Sequence, residues 1–93
     1  MDEHEALVLV LFYAPWCGRC KTIAPKIDNL DEHYDDDDLK VIKIDIDQHK
    51  LKWQKHGITG VPTIKFYKDG ENVETLLGGG QEYQIIDTID RYL

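Results

Sequence analysis

The stretch FYAPWCGRCK, residues 12–21, holds both cysteines of this 93-residue chain. Cys17 and Cys20 stand two residues apart and follow soon after the run ALVLVLFY, residues 6–13. That run is apolar on both faces, which predicts a central strand covered by helices on both sides. Apolar residues then recur at helical spacing over Cys17 to Tyr34, which predicts an amphipathic helix. The two cysteines therefore begin the helix that follows the first strand.

The rest of the chain predicts three more strands and two more helices. An Asp-Gly pair at residues 69–70 lies between two strand-like runs and is typical of a tight antiparallel hairpin. We expect an α/β fold of order βαβαββα, with a four-stranded mixed sheet flanked by three helices, in a single domain over residues 1–93. The later elements are predicted as strand Leu39 to Ile46, helix Gln48 to His56, strands Val61 to Lys68 and Glu71 to Leu77, and helix Gln81 to Leu93.

Composition excludes several classes of function. The chain has 18 acidic and 11 basic residues and a net charge of -7, which argues against a nucleic-acid partner. Its longest apolar run, residues 6–12, is too short to span a membrane. Three of the first five residues are acidic and none is Lys or Arg, whereas a secretory signal begins with basic residues, so we expect a cytoplasmic location. Two cysteines are also too few for a disulfide scaffold.

The position of the cysteines predicts redox chemistry. A helix start offers unpaired N–H groups and the positive end of the helix dipole, and both stabilise a thiolate. Cys17, the more exposed of the two, should act as the nucleophile, and Cys20 should then attack the resulting mixed disulfide. Structural zinc is the weaker alternative, because no second cysteine pair is present and no histidine lies at a ligand spacing. A structural disulfide would close a loop too short to stabilise much. We predict neither a metal nor a cofactor.

The same stretch resembles the active-site segment of thioredoxins and of protein disulfide isomerase catalytic domains. HGITGVPTIKFYKDGE, residues 56–71, is similar to a second segment of that family, and the resemblance extends over about residues 7–93. It implies a thioredoxin-like fold without the usual leading strand and helix. It also implies a thiol–disulfide oxidoreductase that acts on disulfide-containing proteins, receives electrons from a thioredoxin reductase or glutathione, and works as a monomer.

The resemblance also assigns roles around the cysteine pair. Cys17 is the attacking thiol and Cys20 the resolving thiol. The implied substrate-binding residues are Trp16, Val61, Pro62 and Gly79. Pro62 matches the cis-proline of the family, although a trans proline at the start of a strand would suit the residues alone equally well.

Two positions depart from the family pattern, Leu11 and Arg19. Leu11 replaces a buried acid that is thought to move a proton for the resolving cysteine. Lys43 matches the lysine that accompanies that acid, so it must find another partner or extend its ammonium to water, and Asp45 on the same strand face is a candidate partner. Arg19 stands where thioredoxins usually have proline. A guanidinium there should favour the Cys17 thiolate and make the disulfide more oxidising, unless solvent screens it.

Two other functions remain open from the sequence. The small core is also compatible with a glutaredoxin-like, glutathione-coupled oxidoreductase, although the WCGxC context favours the thioredoxin side. Leu11 is compatible with a redox-inert binding module that has kept the fold.

Overall fold

The structure is a computed structural model that describes residues 6–48, 57, 60–78 and 82–93. The helix predicted over residues 48–56 lies, apart from its first residue, outside the described part. Neither described helix is long and apolar enough to cross a membrane. The described elements are β1 (Leu7–Tyr13), α1 (Gly18–His33), β2 (Leu39–Asp45), β3 (Thr63–Lys68), β4 (Glu71–Leu77) and α2 (Glu82–Tyr92).

The four described strands form one mixed sheet in the order β2-β1-β3-β4. β1 runs parallel to β2 and antiparallel to β3, and β3 runs antiparallel to β4. The predicted four-stranded mixed sheet and the central position of β1 are therefore confirmed. Because β4 is parallel to β1, the ends of β1, β2 and β4 and the start of β3 all lie at one end of the sheet.

Both faces of β1 are buried, as its two-sided apolar pattern predicts. Alternate residues of the strand point to opposite faces of the sheet. One face packs with the two helices into the main core, and the other face forms a smaller cluster. The main core contains Leu7, Leu9, Leu11, Ile23, Ile27, Leu30, Leu39, Ile64, Phe66, Ile85 and Ile89. The smaller cluster contains Val10 and Phe12, with Val8, Ile44, Ile46 and Tyr67 packed against them.

Three strand ends differ from the sequence prediction, and the first is that β1 begins at Leu7 rather than Ala6. β3 begins at Thr63 rather than Val61, because the proline before Thr63 has no N–H to donate to the sheet. The Thr63 hydroxyl donates instead to the carbonyl of Gly60 at 2.8 Å, which closes the turn that precedes the strand. β2 ends one residue before Ile46, although the Ile46 N–H still donates to the carbonyl of Tyr13 at 2.9 Å.

The predicted hairpin joins β3 to β4. Asp69 and Gly70 have φ values of 55° and 79°, the positive values that this tight turn requires. The pairing of the two strands then shifts just after Phe66, where β4 carries an extra residue. There the side-chain amide of Asn72 donates to the carbonyls of Phe66 and Glu74, both at 3.0 Å. The irregular point of the edge strand is thus closed by a side chain.

Candidate active site

The cysteine pair lies where β1 passes into α1. Cys17 is the N-cap of α1, with extended backbone angles of φ -88° and ψ 110°. Its sulfur accepts a hydrogen bond from the Cys20 N–H at 3.1 Å, so it satisfies a donor that the helix itself leaves unpaired. The two cysteines form a disulfide, with their Cα atoms 5.2 Å apart. The spacing of two residues thus places both sulfurs on the first helical turn.

Both sulfurs are largely covered, but not equally. Cys17 is 7% exposed and Cys20 is 2% exposed, which agrees with the predicted order. Together with Ala14 they form a small buried cluster, against which Tyr13, Ile46 and Val61 pack. The pair therefore meets solvent mainly through Cys17.

Val61, which directly precedes Pro62, packs against the cysteine pair. Pro62 is buried and its peptide bond with Val61 is cis, as the resemblance implies. Thr63, the next residue, pairs with Phe12 of β1 and so brings this segment to the strand end that leads to the cysteines. The structure thus places Val61 against the cysteine cluster. Of the other implied substrate-binding residues, Gly79 lies outside the described part of the chain.

Trp16 is held by an acid that the sequence did not identify for this role. Trp16 is 67% exposed, as a residue that contacts a substrate must be. The indole Nε1–H donates to Asp47 Oδ2 at 3.0 Å. The Asp47 N–H in turn donates to Asp45 Oδ1 at 2.9 Å. No local pattern in the sequence connects Asp47 with a tryptophan 31 residues away.

Arg19 crosses from α1 to the end of β4. Its side chain is exposed, and its Nε–H donates to the carbonyl of Gly78 at 2.7 Å. Gly78 has a φ of 69° and directly follows Leu77, which pairs with Thr63 of β3. Arg19 therefore joins the first turn of α1 to the end of β4. Its effect on the Cys17 thiolate stays a prediction.

Leu11 occupies the position at which the family has a buried acid. Leu11 is fully buried and pairs in register with Lys43 of β2. The Lys43 ammonium forms an ion pair with Asp28 Oδ1 on α1, so the predicted pairing with Asp45 is wrong. Asp45 instead accepts the main-chain bond from Asp47. The lysine turns outward because its charge finds a partner and water at the edge of the helix, where both side chains are partly exposed.

Within residues 6–48, 57, 60–78 and 82–93, no group of three or more His, Cys, Asp or Glu side chains could hold a metal ion.

The disulfide lies at the start of the helix that follows the central strand β1, and a cis-proline segment packs beside it. This arrangement defines a class of protein. The chain is a thiol–disulfide oxidoreductase with a thioredoxin-like α/β fold. The family model for thioredoxin matches residues 1–91, and the chain belongs to the thioredoxin family. That family acts on disulfide substrates together with thioredoxin reductase and needs no cofactor.

Known thioredoxins are similar to this chain over nearly its whole length. The thioredoxin of Bacillus subtilis is 40% identical over 92 residues, covering 99% of this chain and 88% of that protein. Thioredoxin 1 of Synechococcus elongatus is 37% identical over 91 residues, covering 98% and 84%. The X-ray structure of Fasciola hepatica thioredoxin matches with a TM-score of 0.87 and 35% identity, covering 98% of this chain and 86% of that one. These matches favour the thioredoxin interpretation over the glutaredoxin-like one.

Proposed function

We propose that this protein reduces disulfides in other proteins, with Cys17 as the attacking thiol and Cys20 as the resolving thiol. The observation that carries the assignment is the hydrogen bond from the Cys20 N–H to Cys17 Sγ at 3.1 Å. An N–H aimed at a sulfur stabilises that sulfur most when it is a thiolate. Cys17 also has the greater solvent access. Low thiol pKa and access are the two properties that an attacking cysteine needs.

The reaction has two exchange steps. The Cys17 thiolate attacks one sulfur of a substrate disulfide, the substrate S–S bond breaks, and the other substrate sulfur leaves as a thiolate that takes a proton. The Cys20 thiolate then attacks Cys17 Sγ, which breaks the mixed disulfide and releases the second substrate thiol. The substrate gains two electrons and two protons, and the protein is left with the Cys17–Cys20 disulfide.

The proposed substrate surface consists of Trp16 and Val61, with the buried Pro62 and Gly79 added from the resemblance. Val61 packs against the cysteine cluster, so a peptide lying there would be next to the reacting sulfur. Because Pro62 breaks the sheet before β3, the Val61 main chain is not part of the ladder. We propose that it pairs with the main chain of an extended substrate, as in edge-strand addition.

Thioredoxin reductase is the proposed electron donor, with glutathione as the alternative. Turnover of a protein disulfide should be measured with a thioredoxin reductase and its reductant, and separately with glutathione and glutathione reductase. Faster turnover with thioredoxin reductase supports the proposal. Turnover supported only by glutathione would overturn the donor assignment and leave the cysteine roles intact.

Two serine variants test the cysteine roles. Cys17→Ser should abolish reduction of a protein disulfide, because the attacking sulfur is lost. Cys20→Ser should instead accumulate a mixed disulfide through Cys17, since the first attack survives and the release does not. Mass spectrometry of the trapped adduct locates the bond. Normal turnover by the Cys20 variant would contradict the assignment. The single-domain organisation, monomeric state and cytoplasmic location stay predictions.

A further inference from the structure

Two opposite charges are fixed at opposite edges of the sheet, on either side of the disulfide. Asp47 follows β2 and accepts the Trp16 indole N–H at 3.0 Å. Arg19 reaches Gly78, which follows β4, and donates to its carbonyl at 2.7 Å. β2 and β4 are the outer strands in the order β2-β1-β3-β4. Both side chains are exposed.

The two charges lie at the same end of the sheet as the cysteines. β1, β2 and β4 are parallel, and the row Ile44, Phe12, Thr63 and Leu77 crosses all four strands close to this end. Asp47 is three residues beyond that row and Gly78 is one residue beyond it. The outer strands are separated by three strand spacings, about 14 Å. A bound peptide of a few extended residues would span this distance.

Hydrogen bonding holds each charge in place. An exposed charge on a mobile side chain gives little selectivity, because the attraction is offset by the entropy lost on ordering the side chain. Asp47 and Arg19 are already anchored, to Trp16 and Gly78 respectively. Much of that ordering cost is therefore absent when a substrate binds.

The overall charge cannot produce the same effect. The net charge of -7 acts on every substrate through its total charge and does not distinguish one end of a peptide from the other. A negative edge and a positive edge do distinguish them. Among the described residues of β2 nearest to Asp47, Asp45 is buried and Lys43 pairs with Asp28.

We propose that Asp47 and Arg19 select the orientation and charge order of the substrate, favouring a disulfide cysteine with an acidic residue toward β4 and a basic residue toward β2. The inference rests on the proposed attack by Cys17 and on the proposed main-chain pairing with Val61, which fixes the direction in which the peptide lies. It makes Arg19 and Asp47 specificity-determining residues for the reaction.

The test uses two peptides of identical composition and opposite order, Ala-Glu-Cys-Lys-Ala and Ala-Lys-Cys-Glu-Ala. Each cysteine is a mixed disulfide with neutral 2-thiopyridine. In the Cys20→Ser background, Cys17 attacks the peptide sulfur, the bond to thiopyridine breaks, and thiopyridine leaves with the electron pair and is followed by its absorbance. The readout is the ratio of the two second-order rate constants. Any change in the intrinsic reactivity of Cys17 cancels in this ratio.

We expect the two isomers to differ by about three- to tenfold at low salt, the range that a few exposed charge pairs supply. The ratio should fall toward one in high salt, because these charges are screened. In the charge-swapped variant Arg19→Glu/Asp47→Lys the preferred isomer should become the other one. Arg19→Gln alone should shrink the ratio, which keeps the test informative if the double variant does not fold.

Lys21→Glu is the matched control. It reverses an exposed charge on the same helix, two positions beyond Arg19, and residues two apart on a helix do not share a face. Its ratio should stay at the unsubstituted value. A ratio of one in the unsubstituted protein, or one that Arg19→Gln leaves unchanged, would overturn the inference while the proposed function stands. If neither isomer reacted, attack by Cys17 and the inference would both be wrong.

Discussion

Replacing Leu11 by Asp restores the acid that the family carries at this position, in a site that is otherwise apolar. Leu11 is fully buried, and its register partner Lys43 is bound to Asp28. The new carboxyl would lie near a lysine that already has a partner. We expect Leu11→Asp to destabilise the fold and to speed the release step by Cys20, leaving the first attack by Cys17 unchanged.

The expected loss of stability follows from burial. Removing a buried leucine side chain costs about 2–5 kcal/mol, and a buried polar group with incomplete hydrogen bonding costs about 1–3 kcal/mol more. A domain of 93 residues has a free energy of unfolding of roughly 5–14 kcal/mol. The variant should therefore be much less stable than the unsubstituted protein, and an unfolded fraction should be measurable in mild denaturant.

Leu11→Asn is the matched control, because it removes the same volume and cannot ionise. Burial should raise the pKa of the new carboxyl above its unfolded value of about 3.9. The folded state then binds the proton more tightly, so the Asp variant should match the Asn variant below about pH 4 and become less stable than it as the pH rises through the folded pKa. Adding Asp28→Ala frees Lys43 for the new carboxylate and should reduce this difference.

Urea unfolding of both variants at about pH 4 and pH 8 measures the effect as a change in midpoint at constant slope. The release step is followed as decay of the mixed disulfide. An Asp variant more stable than the Asn variant at pH 8 would show that the ion pair with Lys43 outweighs burial, and would refute the reasoning.

Two further predictions concern Arg19 and Tyr34. Arg19→Pro should raise the pKa of Cys17 and make the pair more reducing, by at most about 20 mV because the cation is exposed. Equilibration with a glutathione buffer measures the reduction potential of the pair. An unchanged potential would show that solvent screens the charge of Arg19. Burial, then the charge of Asp90 and its hydrogen bond, raise the pKa of Tyr34 above 10.0. The raised pKa of Tyr34 contributes stability that is present below about pH 10 and is lost as the pH rises through the folded pKa. Urea unfolding at alkaline pH should therefore show a smaller loss of stability in Tyr34→Phe than in the unsubstituted protein. Equal losses in the two proteins would contradict this prediction.

The sequence predicts those features that depend on local patterns. The two-sided apolar run identifies β1 as a central strand, and the turn at Asp69 and Gly70 follows from the positive φ that such a turn needs. Cys17 could be predicted to stand at the start of α1, because the strand run before it and the helical spacing after it lie in consecutive residues. These elements could be predicted because the cause and its effect lie within a few residues of each other.

The contacts around the site depend on how distant elements pack, so the sequence missed them. Arg19 binds a carbonyl 59 residues away, and only the arrangement of β4 beside β3 brings it within reach. The candidate partner predicted for Lys43 was wrong for a similar reason. The strand pattern suggests Asp45, whereas the packing of α1 against the sheet brings Asp28 to the lysine. The start of β3 was placed two residues too early, because alternation alone does not show where a proline leaves the ladder.

The irregular point of β4 has a consequence for how this protein behaves at high concentration. An outer strand with open main-chain groups can serve as a template on which a second molecule adds its own strand, the first step of aggregation. Here β4 carries an extra residue opposite the step from Phe66 to Tyr67, an irregularity that strengthens the local twist of a strand, and the Asn72 amide donates to the carbonyls of Phe66 on β3 and Glu74 on β4. An intruding strand would meet an interrupted ladder, so this edge of the described sheet resists intermolecular pairing.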